Sequence, residues 1–329
     1  MRSITLILVI LFGAFHVVWG QFSPPAEQIG STAIKSDSNI IQGWAIDATI
    51  QRGWRDIAQP DSGLVNFGQI EDALGPAGDG RVISLGDNGA ITLVFERPIM
   101  NNEGWDFVIF ENGFSDTFLE LAFVEVSTNG IQFVRFPASS LSDTSQQIGP
   151  FGAVDATKLN NLAGKYRANF GTPFDLEELI GQDSIDLNNI NYVRIVDAIG
   201  TIDPGFAQRD AQNNIINDPY PTPFESGGFD LDAVGVINFS TISSANTFLE
   251  KDLLYYPNPV GAERYLFLEG ELDNTRLSIY DGLGRMVHNQ ELSNLTKEDI
   301  NLIGLPAGQY YIRLVDNLGF FTVPLVVID

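Results

Sequence analysis

Short runs of alternating or uniformly apolar residues recur along the chain at RVISLG, AITLVF, DFVIFEN, LAFVEVS, IQFVRFP, NYVRIVDAIG and FDLDAVGVINF. Gly, Asn, Asp and Pro clusters separate them. Period-two alternation bounded by turn residues predicts β-strands. The clearest local unit is FVEVSTNGIQFVRFP, two alternating strands joined through Asn129-Gly130, a pair that supplies the positive φ of a hairpin turn. Helical signals are few and short: TKLNNLAG at 157–164 and PFDLEELIG at 173–181, the latter with Asp175 and two glutamates early and Gly181 behind it. Many strands and few helices predict an all-β, jelly-roll-like β-sandwich over residues 21–242.

Two further segments set the domain boundaries. The chain opens MRSITLILVILFGAFHVVWGQFSPP, one arginine followed by an apolar run and a small residue at Gly20, which reads as a signal peptide over residues 1–20. No other stretch approaches the roughly 20 apolar residues of a membrane-spanning helix, so the mature chain is expected to be exported without a transmembrane segment. At SSANTFLEKDLLYYPNPVGAE the acidic, glycine-rich pattern stops; residues 243–252 read as a linker. A compact set of strands follows in RYLFLEG, TRLSIYDGLGRMV, QYYIRLVD and FFTVPLVVI, which suits a small immunoglobulin-like sandwich over residues 253–329.

The formal net charge is −24, and losing Arg2 with the signal makes it one more negative. Nucleic acid and anionic lipid are therefore not expected as partners, because each is met by basic patches. There is no cysteine, which removes disulfides, thiolate metal sites and thiol nucleophiles. The two histidines are His16, in the signal, and His288, in the second domain, so a Ser-His-Asp triad and a histidine-held zinc are excluded from the first domain. Lys35, Lys158 and Lys165 stand in no Ser-x-x-Lys arrangement, and the GDGRVISLGDNG region lacks the lysine and helix of a phosphate loop. A pair of carboxylates would suffice for glycoside hydrolysis, so a polysaccharide-acting enzyme remains one alternative.

The acids carry the sharpest question. In SGGFDLDAVGVI, Asp230 and Asp232 lie two apart inside a strand pattern and are expected on one face, where unpaired carboxylates need a partner. Glu111 and Asn112 close the strand of WDFVIFENG, Asp106 opens it, and Asp87 sits in the turn of SLGDNGA. Loops of this make-up offer carboxylate, amide and carbonyl oxygens, the donors calcium takes. The expected cofactor is calcium, held by Glu111, Asn112, Asp230 and Asp232, with Asp106 and Asp87 as further ligands. The bland alternative pairs these acids with backbone amides or with Arg194, Arg167 or Lys165. The triplet Asp210, Gln212, Asn214 lacks the glycine and distal glutamate of an EF-hand loop. For ligand contact, Trp54, Tyr220 and Trp105 are the aromatic candidates, with Trp54 and Tyr220 expected to be exposed because polar or turn residues flank them.

YPNPV at 256–260, LSIYDGLGRMV at 277–287 and LPAGQYYIRL at 305–314 resemble the C-terminal sorting domain of the type IX secretion system of Bacteroidetes. That resemblance implies passage across the outer membrane, contact with the type IX machinery, and release or retention at the cell surface. The first domain, through SLGDNGAITLVFERPI, DFVIFENGF, LAGKYRANFGTPFDLEEL and GGFDLDAVGVI, resembles a family of bacterial cell-surface proteins. Pieces such as VEVSTNG are similar to galactose-binding-like and discoidin-type jelly rolls. These resemblances imply a secreted or surface-attached binding protein for a glycan or small nutrient. They leave open a role beside an outer-membrane TonB-dependent receptor in vitamin (corrinoid) uptake, and an adhesive or structural role.

Overall fold

The structure, a computed structural model, describes residues 22–240 and 254–328, apart from 273–274, 283–284, 293–294 and 317–318. The expected signal peptide and linker lie outside the described residues. Strands of the first domain are β1 (Ile34–Lys35), β2 (Gly43–Gln51), β3 (Ile83–Ser84), β4 (Ala90–Ile99), β5 (Phe107–Glu111), β6 (Ala122–Ser127), β7 (Val134–Arg135), β8 (Ser139–Ser140), β9 (Leu159–Asn160), β10 (Phe170–Phe174), β11 (Ile190–Asp197) and β12 (Asp230–Val236).

Most of them join one curled antiparallel sheet in the order β1-β10-β5-β12-β2-β4-β11-β6-β7, with β3 beside β12. The bend is in β2. Gly43 and Trp44 pair with β12, whereas Ala45 to Gln51 pair with β4, across a register slip between Ala45 and Asp47. One strand thus serves both halves, as bulged strands do at sheet corners. Inward rows from the two halves meet in one core, with Phe107, Ile109, Phe174 and Val234 from one side against Leu93, Val124, Val193 and Ile195 from the other. Phe107 stacks on Phe174 at 5.3 Å, and Phe136 meets both rings edge-on.

The second domain holds β13 (Leu254–Tyr256), β14 (Tyr265–Leu272), β15 (Thr275–Asp281), β16 (Met286–Leu292), β17 (Leu295–Asn301), β18 (Gly308–Asp316) and β19 (Gly319–Val327). They form a β13-β14-β17 sheet and a β16-β15-β18-β19 sheet, packed through Leu266, Leu268, Ile279, Ile300, Ile312 and Leu325. The all-β class and the sandwich of the second domain agree with the sequence pattern.

Two local expectations are corrected. Neither helical segment forms a helix: residues 156–158 and 176–179 are single 3-10 turns, and Leu159–Asn160 and Phe170–Phe174 are strands. The cap chemistry is present, with Asp155 accepting from Thr157 N and Asp175 from Glu177 N. Phe174 and Leu176 lie two apart and are both buried, whereas a helix would set them about 200° apart around its axis. The hairpin of β6 and β7 exists, pairing Glu125 with Arg135 and Val126 with Val134, but its connection is longer than the Asn-Gly turn. Ser127 Oγ accepts from Asn129 N and Gly130 N, and Asn129 Oδ1 from Ile131 N and Gln132 N, so side chains organise a wide loop.

Candidate carboxylate site

Antiparallel pairing brings strand ends and strand starts to the same edge, and acids occupy that edge in the first domain. Glu111 ends β5 opposite Leu231 of β12, and Asp230 starts β12 opposite Ser84 of β3. Asp197 ends β11 opposite Ala122 of β6, so Glu120, just before β6, comes to the same end. Asp87 lies between β3 and β4, whose first residue Ala90 pairs with Val196. Asp218 joins from the long β11–β12 connection by accepting from Leu121 N at 2.9 Å. All six side chains are buried.

Burial governs their electrostatics. Glu111, only 1% exposed, is raised well above the ordinary glutamate value by burial, then by Asp230 and, more weakly, Asp232. One of its oxygens, Oε2, accepts from Gly113 N at 2.8 Å; the other, Oε1, is buried without a partner. Glu120 is also raised well above its ordinary value, by burial and then by Glu111, Asp230, Asp218 and Asp197. Burial lifts Asp230 to about 7 against bonds from the Ser84 hydroxyl and Asn112 and the pull of Arg52. Asp197 and Asp218 are pushed up by burial and by neighbouring carboxylates, and Asp87 is lifted to about 7 by burial and Asp56.

The basic residues offered as alternative partners are engaged elsewhere. Arg194 donates to Glu125 at 2.6 Å, Arg167 to Glu27 at 2.6 Å, and Lys165 to the Leu159 carbonyl at 2.8 Å. Arg52 is the cation felt by Asp230, yet its guanidinium donates to the carbonyls of Phe67, Ser84 and Gly68. Backbone amides do serve the acids: Asp197 accepts from Phe229 N at 2.8 Å and Asn88 N at 3.0 Å, and Asp87 from Ile57 N at 2.8 Å. Among the described residues, no three acidic or histidine side chains already converge as a metal centre.

The structure brings Glu111, Asn112, Asp230 and Asp87 to one end and corrects the other expectations. The β12–β5 register slips between Leu231 and Ala233, so Leu231 and Val234 both enter the main core, and Asp232 takes a partner of its own beside Asp230. Its Oδ2 accepts from Gly78 N at 2.9 Å. Asp106 stands at the start of β5, the opposite end. There it accepts from Asn102 N, Asn238 Nδ2 and Leu176 N at 3.0, 3.0 and 2.8 Å, tying three segments together. Asp210 spends its oxygens on Ser140 N, Gln212 N and Asn214, which makes the triplet a closed turn.

Trp54 is at the acidic end, its backbone bonded both ways to that of Asp87. Trp105 is at the other end, half-buried against Val108, Phe110 and Ile237. Tyr220 is buried, not exposed; its hydroxyl donates to Asp56 at 2.8 Å. Trp54 is exposed at that end as expected, and Phe67, Phe114, Phe151 and Phe224 stand in solvent there as well. The last three escape sequence reasoning because only the fold brings their three loops together. Glu120 and Asp197 escape it because their strands read as ordinary core strands until the sheet order is known.

No curated protein matches the chain. Among solved structures it is similar to PorZ, a surface component of the type IX secretion system of Porphyromonas gingivalis, at 15% identity over 82% of this chain and 41% of that one, with a TM-score of 0.23. It is also similar to a β-1,2-glucanase from Parabacteroides distasonis (11%, 90% and 39%, TM-score 0.23) and a β-glucuronidase from Ruminococcus gnavus (9%, 93% and 45%, TM-score 0.22). The chain spans less than half the length of each, and at these TM-scores their activities do not carry over. The family comparison is decisive for the tail: residues 254–328 match the secretion system C-terminal sorting domain. The second sandwich is thus a secretion system C-terminal sorting domain, and the protein is secreted or attached to the outer cell surface.

Proposed function

We propose that the protein is a calcium-containing surface binding protein: the carboxylates at one end of the first domain hold the cation, and the loops around them capture a glycan or small nutrient. The observation that carries this reading is Glu111, a buried carboxylate with one oxygen unpartnered, set among Asp230 and Glu120 with no free cation beside it. Such a group must hold a proton or a metal ion, since an unpaired buried charge is costly. Calcium takes about six to eight oxygen ligands, and Glu111, Glu120, Asp230, Asn112 and neighbouring carbonyls are oxygen donors without nitrogen or sulfur competitors. Binding would draw Glu111 and Glu120 inward from their present spacing and fix the loops they begin and end.

The same burial argues against carboxylate catalysis. Glu111, Glu120 and Asp230 are enclosed, whereas a glycosidase must bring its acids to a bond in the substrate. Vitamin uptake beside an outer-membrane receptor and adhesion differ from glycan capture only in what the loops hold. The first test is thermal unfolding of the full chain in excess calcium and after chelation, with metal analysis. At 100 times the dissociation constant a ligand specific for the folded state adds about 2.7 kcal/mol, and Glu111→Gln is expected to abolish the gain. A chain that carries no calcium and melts identically in both buffers would reject the calcium site.

A further inference from the structure

Four phenylalanines from three separate loops line up in a row at the carboxylate end. Phe114 and Phe118 have ring centroids 5.3 Å apart and planes 23° apart; Phe118 and Phe151 are at 6.4 Å and 27°, Phe151 and Phe224 at 6.0 Å and 32°. Their exposures are 79% for Phe114, 75% for Phe151 and 46% for Phe224, with Phe118 half-buried between them. At about 200 Å² per ring the three most exposed alone present roughly 400 Å² of apolar surface. A contiguous patch of about that size matches the largest apolar patch of a typical monomer, which is often functional. Phenylalanine has no polar atom to justify this exposure, and rings from three loops do not align as a by-product of one packing defect.

The row is tied to the acids by the chain. Phe114 follows Glu111 in the sequence ENGF, Phe118 precedes Glu120 in FLE, and Phe224 leads into the ESGGFD that ends at Asp230. Ile148 and Ala153, on either side of Phe151 in the chain, line a groove of about 280 Å³ with Ser142, Gln147, Asp155 and Lys158, and Ser142 Oγ is buried without a partner. Around the rings Asp116 pairs with Arg167 at 3.3 Å and Glu225 with Arg55 at 3.5 Å, so no unbalanced cation faces them, and the chain as a whole carries a formal net charge of −24.

We infer that the phenylalanine row and the adjoining groove form the contact surface for an uncharged polysaccharide. This rests on the ligand-capture reading above and names the ligand class. Pyranose rings present C–H faces that stack on aromatic rings, and their hydroxyls suit a groove of hydroxyls, amides and carboxylates. The net charge of −24 over the whole chain disfavours uronate or sulfated polymers and anionic lipid headgroups by long-range like-charge repulsion. Calcium, by fixing Glu111 and Glu120, holds the loop that carries Phe114 and Phe118.

The test is native affinity electrophoresis of the full chain through gels containing β-glucan, α-glucan, mannan, xylan, or polygalacturonate as the anionic control. Wild-type protein is expected to be retarded by at least one neutral polymer and not by polygalacturonate. Phe151→Ala/Phe224→Ala is expected to weaken binding by about tenfold or more, with an unchanged melting temperature and calcium shift, whereas Phe151→Trp retains it. Retardation that survives chelation but is lost in the double variant supports the surface and removes only the calcium link. Retardation unchanged in the double variant overturns the assignment of the surface while leaving ligand capture intact. Absence of retardation in every neutral gel overturns it as well, as does binding to phosphatidylcholine vesicles alone that disappears in the double variant.

Discussion

Replacing Asp230 by asparagine should stabilise the metal-free chain and lose that advantage in calcium. Burial lifts the Asp230 carboxyl from 3.8 to about 7, despite the opposing bonds from Ser84 and Asn112 and the charge of Arg52. Below pH 4 the group is protonated in folded and unfolded chains and contributes nothing to their difference. Between about 4 and 7 the folded chain keeps a proton that the unfolded chain has released, so metal-free stability falls as pH rises through this window. Above pH 7 the full cost is felt, about 4 kcal/mol for a shift of that size. Asparagine carries no charge, so Asp230→Asn at pH 8 in chelator should stabilise the chain by up to about 4 kcal/mol, or roughly 10 °C for a domain of this size. Calcium at 100 times its dissociation constant adds about 2.7 kcal/mol to wild type and offsets most of the advantage of a variant that no longer binds it; at 1,000 times it adds about 4.1 and cancels it. Differential scanning calorimetry of both proteins at pH 5 and 8, with calcium and with chelator, reads all four corners. A variant destabilised equally in both buffers at pH 8, or a metal-free wild type indifferent to pH between 5 and 8, would refute the argument.

Other substitutions separate the site from its scaffold. Asp106→Ala orphans three donors at the far end and should cost about 3 kcal/mol in urea unfolding while leaving the calcium increment intact. Tyr220→Phe removes the bond to Asp56 and should cost about 1 kcal/mol, with no loss of polysaccharide retardation, because the ring is buried. Gly164→Ala places a Cβ 1.8 Å from the Glu120 carbonyl at a φ of +80°; it should cost more than about 2 kcal/mol and weaken calcium binding, measured by calcium titration of the melting temperature.

Strands were legible because period-two alternation is a local property, and AITLVF, DFVIFEN and NYVRIVD each fall within the observed β4, β5 and β11 or beside their ends. The sorting domain was legible for another reason: its turns and strands form motifs that recur in order, and 254–328 match the family. What the sequence could not show is which strand ends share an edge. Glu111 and Asp230 were paired correctly in space, whereas Asp106 was placed with them although one strand length separates it from Glu111. The bulge after Leu231 leaves no mark in FDLDAVGVI, since it depends on the partner strand. Phe114, Phe151 and Phe224 each look like an unremarkable loop residue, and only three-dimensional convergence makes them a surface.

The direction of β12 has a consequence for how the molecule meets its surroundings. The strand begins at Asp230 among the carboxylates and runs seven residues to Val236, about 23 Å at the usual rise per residue. Beyond it, Ser240 N donates to the Pro98 carbonyl at 2.8 Å, at the end marked by Asp106. The chain therefore leaves for its export tail from the pole opposite the phenylalanines. A restraint applied through the tail would therefore bear on the first domain at the pole away from the carboxylates and the phenylalanines.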